Sequence, residues 1–171
     1  MLKHAADKKV VNVAISDVKF VSKNELLKTT LGSCVSVVIY PKSKKSESTF
    51  SSMSHFLLPT PSHSSDKEKH PFRFGDYLVN YQIDKMLKNG FDVRELQAKV
   101  AGGATMFPLK KKSQIYDIGN ANAEAAFKVL KERGIVVLAK DIGGEKGRSI
   151  LFDPLTRSLR IHIFGDKEIT I

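Results

Sequence analysis

The sequence predicts an α+β domain, and three observations carry that expectation. Stretches 76–89 and 121–133 place apolar residues at helical spacing, each followed by a glycine. Roughly seven shorter runs are alternating or continuously apolar at strand length. Helices covering a largely antiparallel sheet system satisfy both patterns.

In chain order, Val11, Val13 and Ile15 alternate with smaller or polar neighbours, as in a half-buried strand. Leu31 to Tyr40 is an apolar run kinked at Gly32, and a second run spans Met53 to Pro59. A lysine- and serine-rich stretch joins them, so they are expected to form a hairpin. Residues 60–74 hold prolines and polar residues without period and are expected to be a long loop able to cover the end of that hairpin. Asp76 is the expected N-cap of the first helix, with Val79, Ile83, Met86 and Leu87 buried and Gly90 as the stop. Residues 97–101 form an expected strand ending at Gly102-Gly103. The second helix, 121–133, presents Ala123, Phe127 and Leu130 on one face. Ile135 to Ala139 is expected as a buried strand. After the glycine-rich loop 143–148 come strands over 149–152 and 158–164, joined by a turn at 153–157. No repeat or linker appears, so residues 1–171 are expected to form one domain, with 1–9 flexible.

Composition narrows the function classes. The 42% hydrophobic and 27% charged fractions are those of an ordinary globular chain. One cysteine excludes an intramolecular disulfide framework and fits a reducing compartment. No apolar stretch is long enough to cross a bilayer, and the first residues lack a signal-peptide core, so a cytoplasmic location without membrane insertion is expected. The formal charge of +10 favours an acidic partner. The lysine clusters at 42–45, 67–69 and 110–112 have no interleaved aromatics, and no nucleic-acid-binding signature is present, so nucleic acid is not the expected partner.

Cys34 carries the chemical signal. The midpoint between Cys34 and His55 falls in the polar stretch, between Lys44 and Lys45. A hairpin turning there makes the two residues directly opposed, with Cβ atoms about 4.5–5.5 Å apart on one sheet face. That spacing suits a thiol and the imidazole that deprotonates it. Gly32 permits a close substrate approach, and the adjoining N–H groups of Ser33 and Cys34 are candidate oxyanion donors. A thiolate at neutral pH would need a neighbouring imidazolium or backbone dipoles to favour it. The bland alternative is a buried, inert cysteine in a non-enzymatic binding module. Gly102-Gly103 and Gly143-Gly144 lack the spacing of phosphate loops and are expected to be structural turns. His63, His70 and His162 share no metal-ligand spacing with a carboxylate or with Cys34, so no metal is expected. Asp141 and Asp153 look like turn formers.

Several segments together resemble the CheD family of chemoreceptor glutamine deamidases. They are Leu31-Gly-Ser-Cys-Val-Ser-Val37, Ser54-His-Phe-Leu-Leu-Pro59, Lys99-Val-Ala-Gly-Gly-Ala-Thr-Met-Phe107, Ile118-Gly-Asn-Ala-Asn122 and Asp141-Ile-Gly-Gly-Glu-Lys-Gly-Arg-Ser149. The resemblance implies an α/β/β sandwich with two main helices on one side. It also implies an enzyme that converts receptor glutamines to glutamates through a cysteine nucleophile, without a cofactor. The family cysteine falls on Cys34 and its histidine on His55. The family threonine, which orients the histidine, would fall on Lys28; Thr29 and Thr30 are the nearest candidates, and Thr29 is preferred. Chemoreceptor cytoplasmic helices are the implied substrate and a CheC-type phosphatase an implied partner. A related cysteine methyl esterase or amidase would use the same pair of residues.

Overall fold

A computed structural model describes residues 8–43, 49–105 and 117–171. Among the described residues, ten strands form two five-stranded sheets. The chain runs β1 (Lys9–Asn12), β2 (Asp17–Val21), β3 (Glu25–Leu31), β4 (Val35–Pro41), β5 (Ser51–Phe56), α1 (Ser64–Lys69) and α2 (Gly75–Lys88). It continues through β6 (Leu96–Gly102), α3 (Ile118–Glu132), β7 (Val136–Ile142), β8 (Arg148–Phe152), β9 (Leu159–Ile163) and β10 (Glu168–Thr170). The inner sheet has the order β2-β5-β4-β6-β7 and the outer sheet β1-β3-β8-β9-β10. All neighbours are antiparallel except β1 with β3 and β6 with β7.

Three layers follow from where the apolar side chains point. Leu78, Val79, Ile83 and Met86 of α2, with Ala126, Val129 and Leu130 of α3, pack on Val35, Val37, Ile39, Phe56 and Val100 of the inner sheet. The other face of that sheet meets the outer sheet through Val38, Tyr40, Met53, Leu27, Leu31, Ile150, Phe152, Leu159 and Ile161. Strand β4 is buried at every position because both its faces are covered. In β3 and β9 inward Leu27, Thr29, Leu31, Leu159 and Ile161 alternate with outward Lys28, Thr30, Arg160 and His162, as a one-sided sheet requires. The architecture is the expected α+β sandwich, helices on one side.

Several local expectations change. Helix α2 begins at Gly75 with Phe74 as N-cap, and Asp76 lies in the first turn, its Oδ1 accepting from Tyr77 N at 2.8 Å. The Phe56 ring lies where a Cβ at position 75 would stand, so glycine lets the helix start against the sheet. The 60–74 segment is not featureless: it carries α1 and a 3-10 turn at Pro71–Arg73. Helix α3 starts three residues early because the Asp117 side chain accepts from Asn120 N, capping it. Strand β7 is an edge strand rather than a buried one, with Val136 and Leu138 exposed. Ile15 lies beyond β1 and is exposed. The expected flexible 1–9 segment lies mostly outside the described residues, as do Lys44, Lys45 and Lys110 to Lys112.

Candidate active site

Strands β4 and β5 form the expected hairpin pair, in a register shifted by two residues. Ser36, not Cys34, is directly opposite His55, and Val35 is opposite Phe56. This register sets Phe56 beside Val35 on the face covered by α2, where the ring packs against Gly75. A two-residue shift preserves the face. Cys34 therefore still projects toward the outer sheet with His55, as a diagonal rather than a direct neighbour. Cys34 stands just before β4, partly exposed, with its side chain against the inter-sheet core.

The cysteine segment is clamped by its carbonyls. Gly32 O accepts from Ala104 N and Cys34 O from Gly103 N, each at 2.9 Å. Ser33 O accepts from Asn122 Nδ2 at 3.0 Å, and the same amide donates to Leu57 O at 3.0 Å. Buried Asn122 on α3 thus ties the cysteine turn to the end of the histidine strand. Gly102 and Gly103 hold left-handed conformations, φ +116° and +68°, and a Cβ at Gly102 would collide with the Cys34 carbonyl. These glycines are structural, as expected, and their purpose is to let the β6 end close on the cysteine. Among the described residues, no turn or loop carbonyl accepts from the N–H of Ser33 or Cys34.

The outer sheet supplies the third group. Thr29 on β3 is 2% exposed, whereas Lys28 and Thr30 face outward. Thr29 Oγ1 donates to Val13 O at 2.7 Å and lies 2.8 Å from His55 Nδ1. A hydroxyl has one hydrogen, and here Val13 takes it, so Oγ1 accepts from a protonated Nδ1. His55 is then the Nδ1–H tautomer, with a free lone pair on Nε2. Nε2 is buried and among the described residues has no hydrogen-bond partner, and the same holds for the hydroxyl of Ser36, the residue directly opposite His55.

Burial sets the protonation states. It pushes the Cys34 thiol above its ordinary pKa, with the residue's own backbone N–H offsetting part of the effect. It also lowers the His55 pKa, against an opposing contribution from the Val13 carbonyl. Both directions favour a neutral thiol beside a neutral imidazole. At Cys34 desolvation outweighs the backbone dipole.

The remaining candidates lie elsewhere. His63, His70 and His162 are exposed, and among the described residues no three His, Cys, Asp or Glu side chains form a metal-ligand group. Asp141 does more than form a turn. Its Oδ2 accepts from buried Arg148 Nη1 at 2.5 Å, and Arg148 also donates to the carbonyl of Gly143, closing the glycine loop beside Leu31. Sequence reasoning missed Ser36, Asn122 and Val13 as neighbours of the site. The inward alternation of Ser36 with Val38 and Tyr40 was the available signal for the first. Asn122 closes one of the segments that carry the family resemblance, and nothing local marked Val13.

Comparison with known proteins now adds to the geometry. A family model described as CheD chemotactic sensory transduction matches residues 57–163. The chain belongs to the CheD family. A relative from Oceanobacillus iheyensis, named as a probable chemoreceptor glutamine deamidase CheD, is 37% identical over 163 residues, covering 95% of this chain and 96% of its own. A relative of the same name from Clostridium acetobutylicum is 37% identical over 158 residues, 92% of each chain. One from Clostridium botulinum strain Hall is 38% identical over 167 residues, 95% of this chain and 99% of its own. The family-model match begins after His55. Alignments covering 95% of this CheD chain leave too few residues outside to omit Thr29, Cys34 and His55. Among the described residues, no helix is long and apolar enough to cross a membrane.

Proposed function

We propose that this protein deamidates glutamine side chains of bacterial chemoreceptors, using Cys34 as nucleophile, His55 as base and Thr29 as the residue that orients the imidazole. The observation that carries the reading is the Val13–Thr29–His55 relay, which leaves Nε2 as an unpartnered base on the face that Cys34 shares. The names of the relatives supply the substrate class.

The neutral pair defines the first step. As Sγ approaches the carboxamide carbon, the thiol proton passes to Nε2, so thiolate charge develops only in the transition state. The N–H groups of Ser33 and Cys34, at the turn opened by Gly32, receive the oxyanion. The His55 imidazolium returns the proton to the leaving nitrogen; ammonia departs and a thioester remains. Water, deprotonated by the same Nε2, releases glutamate. Thr29 keeps Nδ1 protonated throughout, the role a carboxylate or amide plays in other triads. No cofactor takes part. A CheC-type phosphatase remains a proposed partner, supported by the family resemblance alone.

The test is site-resolved mass spectrometry of a chemoreceptor cytoplasmic fragment incubated with the protein. Glutamine-to-glutamate conversion by the wild type, lost in both Cys34→Ala and His55→Ala, is the expected result. Conversion that survives in Cys34→Ala contradicts the mechanism. Tight receptor binding without conversion by folded wild type would instead make the protein a binding module.

A further inference from the structure

The face that holds Cys34 and His55 carries two buried hydroxyls without a partner among the described residues, Ser36 and Tyr40, and the mechanism above gives no role to the one nearer Cys34, Ser36. Ser36 is directly opposite His55, completely buried, and its hydroxyl has no hydrogen-bond partner among the described residues. Its neighbours at the same parity, Val38 and Tyr40, belong to the inter-sheet core, as does Met53 beside His55. Ser36 and His55 therefore project the same way, as directly opposed residues do, and Cys34 lies two residues before Ser36 on that face. His55 Nε2 is likewise buried and unpartnered.

Serine hydroxyls elsewhere on the hairpin behave differently. Ser52 Oγ donates to Ile39 O at 3.5 Å and Ser54 Oγ to Val37 O at 3.4 Å, each across the ladder. Ser36, on the opposite face of the same ladder, makes no such bond among the described residues. Buried polar groups are with few exceptions hydrogen-bonded, and where the protein offers no partner an internal water with two to four polar neighbours commonly does. A hydroxyl and a ring nitrogen on directly opposed residues are such neighbours.

We propose that Ser36 Oγ and His55 Nε2 together hold the water that hydrolyses the Cys34 thioester. The inference rests on the reading that Cys34 forms that thioester. The water donates one hydrogen to Nε2 and the other to Ser36 Oγ, which leaves an oxygen lone pair for the acyl carbon. Attack forms the new C–O bond while the first proton passes to Nε2. Collapse breaks the C–S bond; Sγ leaves with the electron pair and recovers the proton from the imidazolium. Glutamate and the free thiol result. Ser36 is a positioning residue for the second half of the cycle and has no part in the first.

Rapid-quench kinetics on a receptor fragment separates the halves, with ammonia release reporting acylation and glutamate formation reporting deacylation. Ser36→Ala should give an ammonia burst near one per enzyme at the wild-type rate. The following steady state should be slower by up to about 10²-fold, as for a misplaced reactant. Intact mass should show the fragment attached at Cys34 in that variant, and Ser36→Thr, which keeps the hydroxyl, should recover turnover. A burst and steady state that slow together, or that both match wild type, overturn the proposal. Cys34-dependent deamidation with normal deacylation in Ser36→Ala removes only the water site. Full activity in Cys34→Ala removes the thioester reading itself.

Discussion

The two buried faces of the β4–β5 hairpin differ in how they treat polar groups. Toward the helices, Val35, Val37, Ile39 and Phe56 pack against α2 and α3. The serine hydroxyls on that face bond to strand carbonyls, and Ser52 also accepts from Gln82 Nε2 at 2.9 Å. Toward the outer sheet, Val38, Tyr40 and Met53 continue an apolar core, but the end near Cys34 turns polar. There Ser36 Oγ and His55 Nε2 are left open while His55 Nδ1 is held by Thr29. On the helix side Ser52 and Ser54 spend their hydroxyls on the ladder, whereas at the cysteine end of the other face Ser36 Oγ and His55 Nε2 have no partner among the described residues. Tyr40 farther along that face shares this state, as do Gln82 Oε1 and Asn122 Oδ1 on the helix side. Buried groups that can titrate but lack partners are a mark of functional sites.

The largest effect that sharpens this contrast is on the base. His55→Ala should lower deamidation by about 10²–10⁴-fold, the usual share of general acid–base catalysis. Thr29→Val should cost less, roughly 10²-fold, by freeing the imidazole to rotate and change tautomer. Thr29→Ser, which keeps the hydroxyl, should restore most of the rate. Equal rates for valine and serine at position 29 would break the assignment of Thr29 as the orienting group.

Part of this site was legible in the chain, and the limit has physical causes. The lone cysteine after Gly32 and the apolar hairpin placed Cys34 and His55 on one face, because face depends only on parity. The register was off by two: either register leaves Phe56 on the face under α2, so face parity alone does not choose between them. Thr29 over Thr30 rested on the family resemblance alone, because β3, whose alternation of Leu27, Thr29 and Leu31 turns Thr29 inward, was hidden by adjacent Leu26 and Leu27 and by two threonines. β2 and β10 are short and were not anticipated at all. Asn122 lies in a segment that carries the family resemblance, but its partners are far apart in sequence and were not legible; Val13 acts through its carbonyl and left no trace in residue type.

Protonation offers a smaller effect with a definite sign. Burial lowers the His55 pKa, so the free base persists as pH falls, and the acid limb of kcat/KM should lie below the ordinary histidine value of about 6.5. Burial raises the Cys34 pKa, so alkylation by iodoacetamide, which consumes thiolate, should keep rising above pH of about 8.5. A fast alkylation plateau below neutral pH would reveal a preformed thiolate–imidazolium pair and contradict the neutral resting state. The smallest effect is electrostatic steering. With a formal charge of +10, kcat/KM on an acidic receptor fragment should decline with ionic strength while kcat holds. A salt-independent kcat/KM removes that contribution.

The most direct test sets the two faces side by side in one deamidation assay, with Cys34→Ala representing the face toward the outer sheet and Ser54→Ala the helix-facing one. Ser54→Ala should lose no more than the stability of one weak hydrogen bond, about 0.5–1.5 kcal/mol, and keep its activity. Cys34→Ala should fold as well and convert no glutamine. A folded Cys34→Ala that still deamidates, or a folded Ser54→Ala that is equally dead, would contradict the account.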